Sequence, residues 1–228
     1  MQVVILASGK GKRMGDLTKT TPKPMLKIKG KPILEHKLNA LPKEITEIIL
    51  VIGYRGEQIM NHFKNSFNNK KITYIFRSSQ VGVDGTAKSL HAAKSFLGDK
   101  FLVMMGDDFY HKKDIKNILK HELAVLGCEV DDISQFGLIK SKGSQLVDII
   151  EKPKKSDEKL ANTGLYVLNK KFFEYDLIKS NAGEYCISKV LSCMADKHKI
   201  KVEKTLNWFP IGNQGDLKKA EELIHKFA

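Results

Sequence analysis

Short apolar runs alternate with amphipathic segments along the first half of the chain. The runs are rich in β-branched and other apolar residues, and they predict buried strands over 3–6, 48–52, 72–76 and 101–105. Between them, apolar residues recur every three or four positions and predict helices over 33–41, 59–63 and 85–97. Alternating strands and helices are typical of a parallel sheet with right-handed crossovers.

The second half has a different pattern, because its apolar runs follow one another with few helices between them. Strands are predicted over 136–139, 147–150 and 165–168, and helices over 172–178, 185–194 and 214–227. No repeat and no long linker divides the chain, so we expect one domain over residues 1–228. The predicted fold class is α/β, with a Rossmann-like, mostly parallel mixed sheet flanked by helices.

The composition narrows the classes of function. The 228 residues carry a formal net charge of +13, which favours anionic partners such as nucleic acid, a membrane surface or small phosphate-rich substrates. No apolar run approaches the roughly 20 residues that a membrane span needs. Three cysteines without a CxxC pair argue against a zinc site and favour a reducing compartment. We therefore expect a cytoplasmic protein without a membrane partner.

A glycine-rich, basic loop follows the first predicted strand. Residues 8–14 read Ser-Gly-Lys-Gly-Lys-Arg-Met. Glycines directly after a parallel strand let backbone N–H groups approach a phosphate. A P-loop would need Ser or Thr where Arg13 stands, and a dinucleotide fingerprint would need a third glycine. Taken alone, the loop is therefore either a phosphate-binding loop of another kind or a basic turn on the surface.

The following segments carry a family resemblance. Residues 6–14 read Leu-Ala-Ser-Gly-Lys-Gly-Lys-Arg-Met, residues 22–24 read Pro-Lys-Pro, and residues 30–33 read Gly-Lys-Pro-Ile. This opening resembles that of the sugar-1-phosphate nucleotidylyltransferases, also called nucleotide-sugar pyrophosphorylases, and departs from it only at Ser8. The resemblance continues to the C-terminal segment. It implies the nucleotide-diphospho-sugar transferase fold.

The resemblance gives roles to several charged residues. Arg13 and Lys23 are implied to contact a triphosphate, and Asp107, directly after the fourth predicted strand, is implied to bind Mg²⁺, with Mn²⁺ as a substitute. Transfer of a phosphoryl-type group requires positive charge around negative oxygens more than covalent chemistry. The nucleotide-binding half is expected over 1–110 and the sugar-binding half over 111–228.

Other positions are implied to hold the two substrates, a nucleoside triphosphate and a sugar 1-phosphate, which react to give a nucleotide-sugar and pyrophosphate. The implied nucleotide-binding residues are Leu6, Ala7, Gly9, Gly11, Gln80, Gly85 and Thr86. The implied sugar-phosphate-binding residues are Gly137, Glu151, Lys152, Asn162 and Gly164. The glutamine precedes a Gly-Thr-Ala segment, as in family members that use UTP or dTTP, and its amide can both donate to and accept from a pyrimidine.

One late segment departs from the family pattern. Residues 208–213 read Trp-Phe-Pro-Ile-Gly-Asn, and Pro210 stands where the family usually has a second metal-binding aspartate. Asn213, Asp108 or Asp216 could compensate, or one carboxylate with substrate phosphates could suffice. Alternatively, catalysis is weakened and the chain is a nucleotide-sugar-binding regulatory protein on the same fold. A nucleic-acid partner is not expected because no recognition motif accompanies the charge, and the sequence does not indicate an oligomeric state.

Overall fold

The computed structural model describes residues 1–77, 85–181, 183–205 and 207–227. The strands are β1 (Gln2–Ala7), β2 (Lys27–Ile28), β3 (Lys31–Pro32), β4 (Glu47–Ile52), β5 (Ser66–Phe67), β6 (Lys70–Phe76), β7 (Lys100–Met105), β8 (Asp108–Tyr110), β9 (Ala124–Glu129), β10 (Gly137–Lys142), β11 (Gln145–Glu151), β12 (Leu160–Asn169), β13 (Lys201–Thr205) and β14 (Trp208–Pro210). The helices are α1 (Leu17–Thr20), α2 (Ile33–Asn39), α3 (Gly56–Phe63), α4 (Thr86–Ala92), α5 (Lys112–Ile118), α6 (Ile187–Ala195) and α7 (Gln214–Leu223).

Ten strands of the described segments form one sheet, in the order β10-β11-β13-β9-β12-β7-β1-β4-β6-β5. The central strands β7, β1, β4 and β6 are parallel, and Val3 of β1 lies level with Ile48 of β4 and Leu102 of β7. Beyond β7 the directions are mixed, because β12 is antiparallel to both β7 and β9 whereas β13 is parallel to β9. The predicted fold class is confirmed.

Helices cover both faces of the sheet, and β1 shows how the sequence encodes this arrangement. Val4 belongs to one apolar core, which includes residues of α4 and α6. Val3 and Ile5 belong to a second core, which includes residues of α2, α3 and α5. Because alternate side chains of a strand point to opposite faces, a strand covered on both sides needs apolar residues at every position.

The parallel strands bring their carboxyl ends to one edge of the sheet. The glycine-rich loop follows β1 at this edge, and the Gly106–Asp107 turn follows β7 next to it. Open α/β sheets bind ligands at such an edge. Along the segments that the structure describes, no helix is long and apolar enough to cross a membrane.

The predicted helix over 172–178 is wrong. A short 3₁₀ turn, Lys170–Glu174, occupies this stretch, and Tyr175 already has an extended backbone. Phe172 is fully buried, and its ring packs edge-on against Phe173. The two aromatic residues therefore anchor a single turn to the core, and they do not form one face of a longer helix.

Other predicted helices differ from the observed ones at their ends. The helix predicted over 85–97 ends at Ala92, and a 3₁₀ turn, Lys94–Phe96, follows it. The helix predicted over 185–194 begins at Ile187, because Tyr185 pairs with Lys179 in an antiparallel bridge before it. The helix predicted over 214–227 ends at Leu223, and a 3₁₀ turn, Ile224–Lys226, follows it. The sequence pattern does not predict β9, β13 or α5.

Candidate active site

The loop after β1 is shaped by close packing against the chain around Lys23. Gly11 has a φ of +63°, and a Cβ added there would lie 3.0 Å from the Lys23 Cβ and 3.2 Å from the Thr18 Cγ2. The Thr18 hydroxyl also donates a hydrogen bond to the Gly11 carbonyl oxygen at 3.1 Å. Glycine is favoured here because it accepts a left-handed backbone and leaves room for the neighbouring segment.

The turn after β7 lies directly against β1. The Gly106 N–H donates to the Leu6 carbonyl oxygen at 2.9 Å, and a Cβ added at Gly106 would lie 2.7 Å from that oxygen. This close approach brings Asp107 beside the glycine-rich loop. The Lys23 ammonium forms an ion pair with the Asp107 Oδ2.

Lys23 is buried although it carries a charge, with 6% of its surface exposed. It opens a 3₁₀ turn after Pro22, whose backbone is extended, and Pro24 follows it. Burial of an unpaired ammonium is unfavourable, so the carboxylate of Asp107 is the group that makes this position stable. The ion pair also fixes the Asp107 carboxylate next to the glycine-rich loop.

Arg13, Lys23 and Asp107 line one cavity of about 290 Å³. The predicted nucleotide-binding residues of the first loop also line this cavity, namely Leu6, Ala7, Gly9 and Gly11. The structure therefore brings together a glycine-rich backbone, two basic side chains and a carboxylate. Such an arrangement suits a chain of phosphate groups with an accompanying cation. We call it the phosphate cavity.

A second cavity, of about 520 Å³, adjoins the first. Arg13, Asp107 and Gly212 line both cavities. All five predicted sugar-phosphate-binding residues line the second one, namely Gly137, Glu151, Lys152, Asn162 and Gly164. Residues from β10, β11 and β12 thus meet the turn after β7 at one cleft, which we call the sugar cavity.

Two polar side chains of the sugar cavity are held by hydrogen bonds, and two of their partners, Ser188 and Tyr166, were not identified by sequence analysis. The Glu151 Oε1 accepts a hydrogen bond from the Ser188 hydroxyl of α6. The Asn162 amide donates to the Tyr166 hydroxyl at 2.8 Å, and its oxygen accepts from the Gly164 N–H at 3.1 Å. Fixed side chains of this kind can distinguish the hydroxyl pattern of a sugar.

Gly164 occupies a backbone conformation that other residues rarely adopt. Its φ is +77°, and a Cβ added there would lie 2.5 Å from the Met105 Cγ. The pairing of β12 with β9 is irregular between Asn162 and Tyr166, which includes this position. The irregularity turns the strand where it passes the end of β7, so the sugar cavity depends on glycine at this point.

The start of α4 lies against the segment before α6. Gly85 has a φ of +146°, and a side chain there would overlap the Tyr185 backbone. Thr86 lines the sugar cavity, and its hydroxyl oxygen accepts from the Ile187 N–H at 3.1 Å. Thr86 therefore lines the sugar cavity and not the phosphate cavity, and Gly85 packs against the Tyr185 backbone without lining either cavity. Gln80 lies outside the described residues.

A buried lysine lies behind the turn that carries Asp107. Lys37 is 2% exposed, its ammonium donates to the backbone carbonyl of Asp108, and it sits 4.6 Å from the centre of the Tyr110 ring. Burial lowers the pKa of Lys37 to about 8, against the attraction of the two aspartates. Burial also raises the pKa of Asp108 to about 7, and the Asp107 carboxylate adds to that rise.

The segment with the unexpected proline forms a strand and then a helix cap. Pro210 lies in β14, level with Asp108 of β8 in an antiparallel pair. The Asp216 carboxylate accepts from the backbone N–H groups of Gly212 and Asn213, at 2.8 and 3.0 Å. In return the Asn213 side chain accepts from the Asp216 N–H at 3.1 Å. These bonds form a capping box at the start of α7.

The donor atoms at this site fit a hard divalent cation. Within the described residues, no group of three or more His, Cys, Asp or Glu side chains could hold a metal. Mg²⁺ does not require one, because it is often bound by one or two carboxylates together with water and substrate phosphates. Asp107 offers such a carboxylate at the junction of the two cavities.

A third cavity, of about 500 Å³, lies on the Lys37 side of the turn after β7. Its lining includes Lys29, Lys31, Lys37 and Lys112, so it is also basic. Asp108, a candidate second metal ligand, lines this cavity as well as the sugar cavity, whereas Arg13, Lys23 and Asp107 do not line it. It therefore offers an alternative place for an anion, against which the phosphate cavity can be tested.

Comparison with known proteins agrees with this geometry. The family model for nucleotidyl transferases matches residues 2–226. The chain belongs to the nucleotidyl transferase family. The family resemblance seen in the sequence motifs is thereby confirmed at the level of the nucleotidyl transferases.

Relatives within this family are identical to the chain at about a third of the aligned positions. A protein named bifunctional protein GlmU, from Methanococcus maripaludis strain S2, is 34% identical over 223 residues, which are 95% of this chain and 53% of that protein. The chain thus spans about half the length of that relative. A UTP–glucose-1-phosphate uridylyltransferase, AglF of Haloferax volcanii, is 31% identical over 85% of this chain and 83% of its own length.

Solved structures of similar fold cover the whole chain. A candidate glucose-1-phosphate thymidylyltransferase from Bacillus anthracis, in complex with a sucrose, superposes with a TM-score of 0.86 at 26% identity, over 100% of this chain and 96% of that one. A UDP-glucose pyrophosphorylase complexed with UDP-glucose superposes with a TM-score of 0.85 at 21% identity, over 99% and 98% of the two chains, and shows the same fold.

Proposed function

We propose that the chain transfers a nucleotidyl group from UTP or dTTP to a sugar 1-phosphate and releases pyrophosphate. The observation that supports this most strongly is the junction of the two cavities. Arg13 and Asp107 line both of them, so a triphosphate in one and a sugar phosphate in the other would meet between these side chains. Residues 1–110 supply the phosphate loop of this arrangement, and residues 111–228 supply most of the sugar cavity.

The reaction is a direct displacement at phosphorus. A phosphate oxygen of the sugar 1-phosphate attacks the α-phosphorus of the nucleotide, and the bond from that phosphorus to the bridging oxygen of the β-phosphate breaks. Pyrophosphate leaves with the bonding electrons, and Arg13 and Lys23 neutralise its charge. Lys152 binds the attacking phosphate. A general base is not required, because a phosphate monoester is ionised near neutral pH.

Asp107 is proposed to hold Mg²⁺, which Mn²⁺ can replace. When bound, the cation neutralises phosphate oxygens next to the reacting phosphorus. The Lys23 ammonium forms an ion pair with this carboxylate. Lys23 is therefore close enough to the cation site to contact the same phosphate groups, and the two positive charges would share the triphosphate.

The choice of nucleotide is supported by the motif around Gln80 and by the relatives. Gln80 has the amide that suits a pyrimidine edge. AglF is named for UTP, and the B. anthracis structure is named for thymidylyl transfer. We propose UTP or dTTP as the donor, in a cytoplasmic enzyme as the cysteine content predicts. The shape of the sugar cavity selects the sugar.

A matrix of substrates tests the proposal. Pyrophosphate release is measured for each nucleoside triphosphate against a panel of sugar 1-phosphates, with Mg²⁺ and with Mn²⁺. We expect turnover with UTP or dTTP and at least one sugar phosphate. The Asp107→Asn variant should lose roughly 10²-fold or more in kcat, as when other groups that stabilise charge are removed. Asp99→Asn is the matched control because the Asp99 side chain is 95% exposed.

A regulatory protein on the same fold is the second candidate, and Pro210 is the observation that favours it. Such a protein would bind a nucleotide-sugar without turnover. Binding measured by calorimetry, together with no pyrophosphate release in any combination of the matrix, would support this candidate over the enzyme.

A further inference from the structure

The turn after β7 carries two neighbouring carboxylates, and the proposed reaction uses only Asp107. Asp108 follows it directly and lines the same sugar cavity. The role inferred for Asp108 rests on the proposed function, because it concerns the cation that accompanies the triphosphate.

Asn213, Asp108 and Asp216 could each replace a carboxylate at position 210, but Asn213 and Asp216 are engaged in the helix cap. Asp216 accepts two backbone N–H groups through its Oδ2, and Asn213 accepts the Asp216 N–H. Both side chains hold the start of α7 in place, and a cation would compete with the backbone donors for their oxygens. Metal binding by either side chain would therefore compete with the bonds of the helix cap.

Asp108, unlike Asn213 and Asp216, lies on a strand that is paired with the strand of Pro210. In the β8–β14 pair it lies level with Pro210, and both residues line the sugar cavity with Asp107. The Trp208 indole N–H donates to the Asp108 Oδ2 at 3.3 Å, which orients the carboxylate towards β14. A carboxylate is thus missing from one strand and present at the paired position of its neighbour.

The negative charges of Asp107 and Asp108 also favour a bound cation at this turn. Asp107 is paired with Lys23, whereas within the described segments Asp108 takes part in no side-chain ion pair. The Lys37 ammonium donates to the backbone carbonyl of Asp108 and so stabilises the turn from behind. Two adjacent carboxylates repel each other unless positive charge lies between them.

We propose that Asp107 and Asp108 together hold the divalent cation, and that Asp108 supplies from β8 the carboxylate that β14 lacks. Two carboxylates, with substrate phosphates and water, are a normal ligand set for Mg²⁺. Asp108 is then a ligand of the cation and not merely a residue of the turn.

Mn²⁺ binding tests this without any turnover. Free Mn²⁺ is measured by electron paramagnetic resonance in titrations of the full chain, with and without inorganic pyrophosphate. Loss of supporting groups around metal sites typically weakens affinity about 10–100-fold, so Asp108→Asn should weaken Mn²⁺ binding by at least about tenfold. Asp107→Asn should do the same, and Asp99→Asn should leave the affinity unchanged. Thermal melts check that each variant is folded.

The variants separate the possible failures. If Asp107→Asn weakens binding and Asp108→Asn does not, the second ligand is refuted and the proposed function stands. If neither variant weakens binding, the metal assignment of the proposed function fails as well. Adding Pro210→Asp to the Asp108→Asn variant should restore affinity, because the two positions face each other. Continued weak binding by a folded double variant would contradict the argument from strand pairing.

Discussion

Replacing the buried Lys37 by methionine removes a charge from behind the turn that carries Asp107 and Asp108. Lys37 is 2% exposed, and its ammonium donates to the Asp108 backbone carbonyl. Methionine fills a similar volume without a charge or a donor. The substitution therefore isolates the contribution of the ammonium to the stability of the turn.

The expected loss in the free energy of unfolding follows from the Asp108 carbonyl and carboxylate, which lose their positively charged neighbour. A hydrogen bond from a charged donor contributes about 1.5–3 kcal/mol. Breaking a fully buried ion pair costs about 3–5 kcal/mol, an upper limit here because Asp108 is half-buried and not in direct ion contact. We expect Lys37→Met to lower the free energy of unfolding by about 3 kcal/mol. For a chain of this size that lowers Tm by about 6–12 °C.

Urea unfolding followed by circular dichroism measures this change. Lys71→Met is the matched control because Lys71 is exposed on β6, and its effect should lie within about 0.5 kcal/mol. In the double variant Lys37→Met with Asp108→Asn the loss should be smaller than in the single variant, since the half-buried Asp108 carboxylate is no longer there to lose its attraction to Lys37. A Lys37→Met protein as stable as the wild type would refute the reasoning.

Three further predictions concern backbone strain, pH and the phosphate cavity. Gly164→Ala should lose about 1–3 kcal/mol in urea unfolding, because its φ is +77° and the new Cβ would meet Met105; Gly143→Ala, also at positive φ but in open space, should lose less. Burial lowers the pKa of His91, so the unfolded chain binds more protons than the folded one and the free energy of unfolding should fall as pH drops through about 6.5. Unfolding at several pH values measures this slope, and His91→Asn should reduce it. Lys23→Gln should lower kcat for pyrophosphate release roughly 10²-fold, and unchanged turnover would contradict its place on the triphosphate.

The central strands could be predicted because their physical requirement is simple. A strand such as β1 is covered on both faces, so Val3, Val4 and Ile5 must all be apolar. By contrast, β13 reads Lys-Val-Glu-Lys-Thr over 201–205, and its position is set by pairing with β9 far along the chain. Pairing partners of this kind are not encoded in local periodicity, and β13 was missed for this reason. The strand β9 was also missed, although Ala124, Val125 and Leu126 are apolar and pack on both faces as in β1.

The residues of the candidate site likewise fall into those that motifs predict and those that depend on distant contacts. Motifs predicted the residues of the phosphate cavity, because glycine and basic side chains are required wherever a backbone approaches phosphate. Lys37 was missed because it lies on the buried face of α2, next to Leu38, where periodicity favours an apolar residue. Ser188 was missed because its contact with Glu151 joins residues far apart in the sequence.

A crystal structure with UTP or dTTP and Mg²⁺ would test the central claim most directly. We expect the triphosphate to lie in the phosphate cavity, with Arg13 and Lys23 on its oxygens and the cation on Asp107. A triphosphate bound instead in the cavity lined by Lys29, Lys31 and Lys112 would contradict the proposed active site.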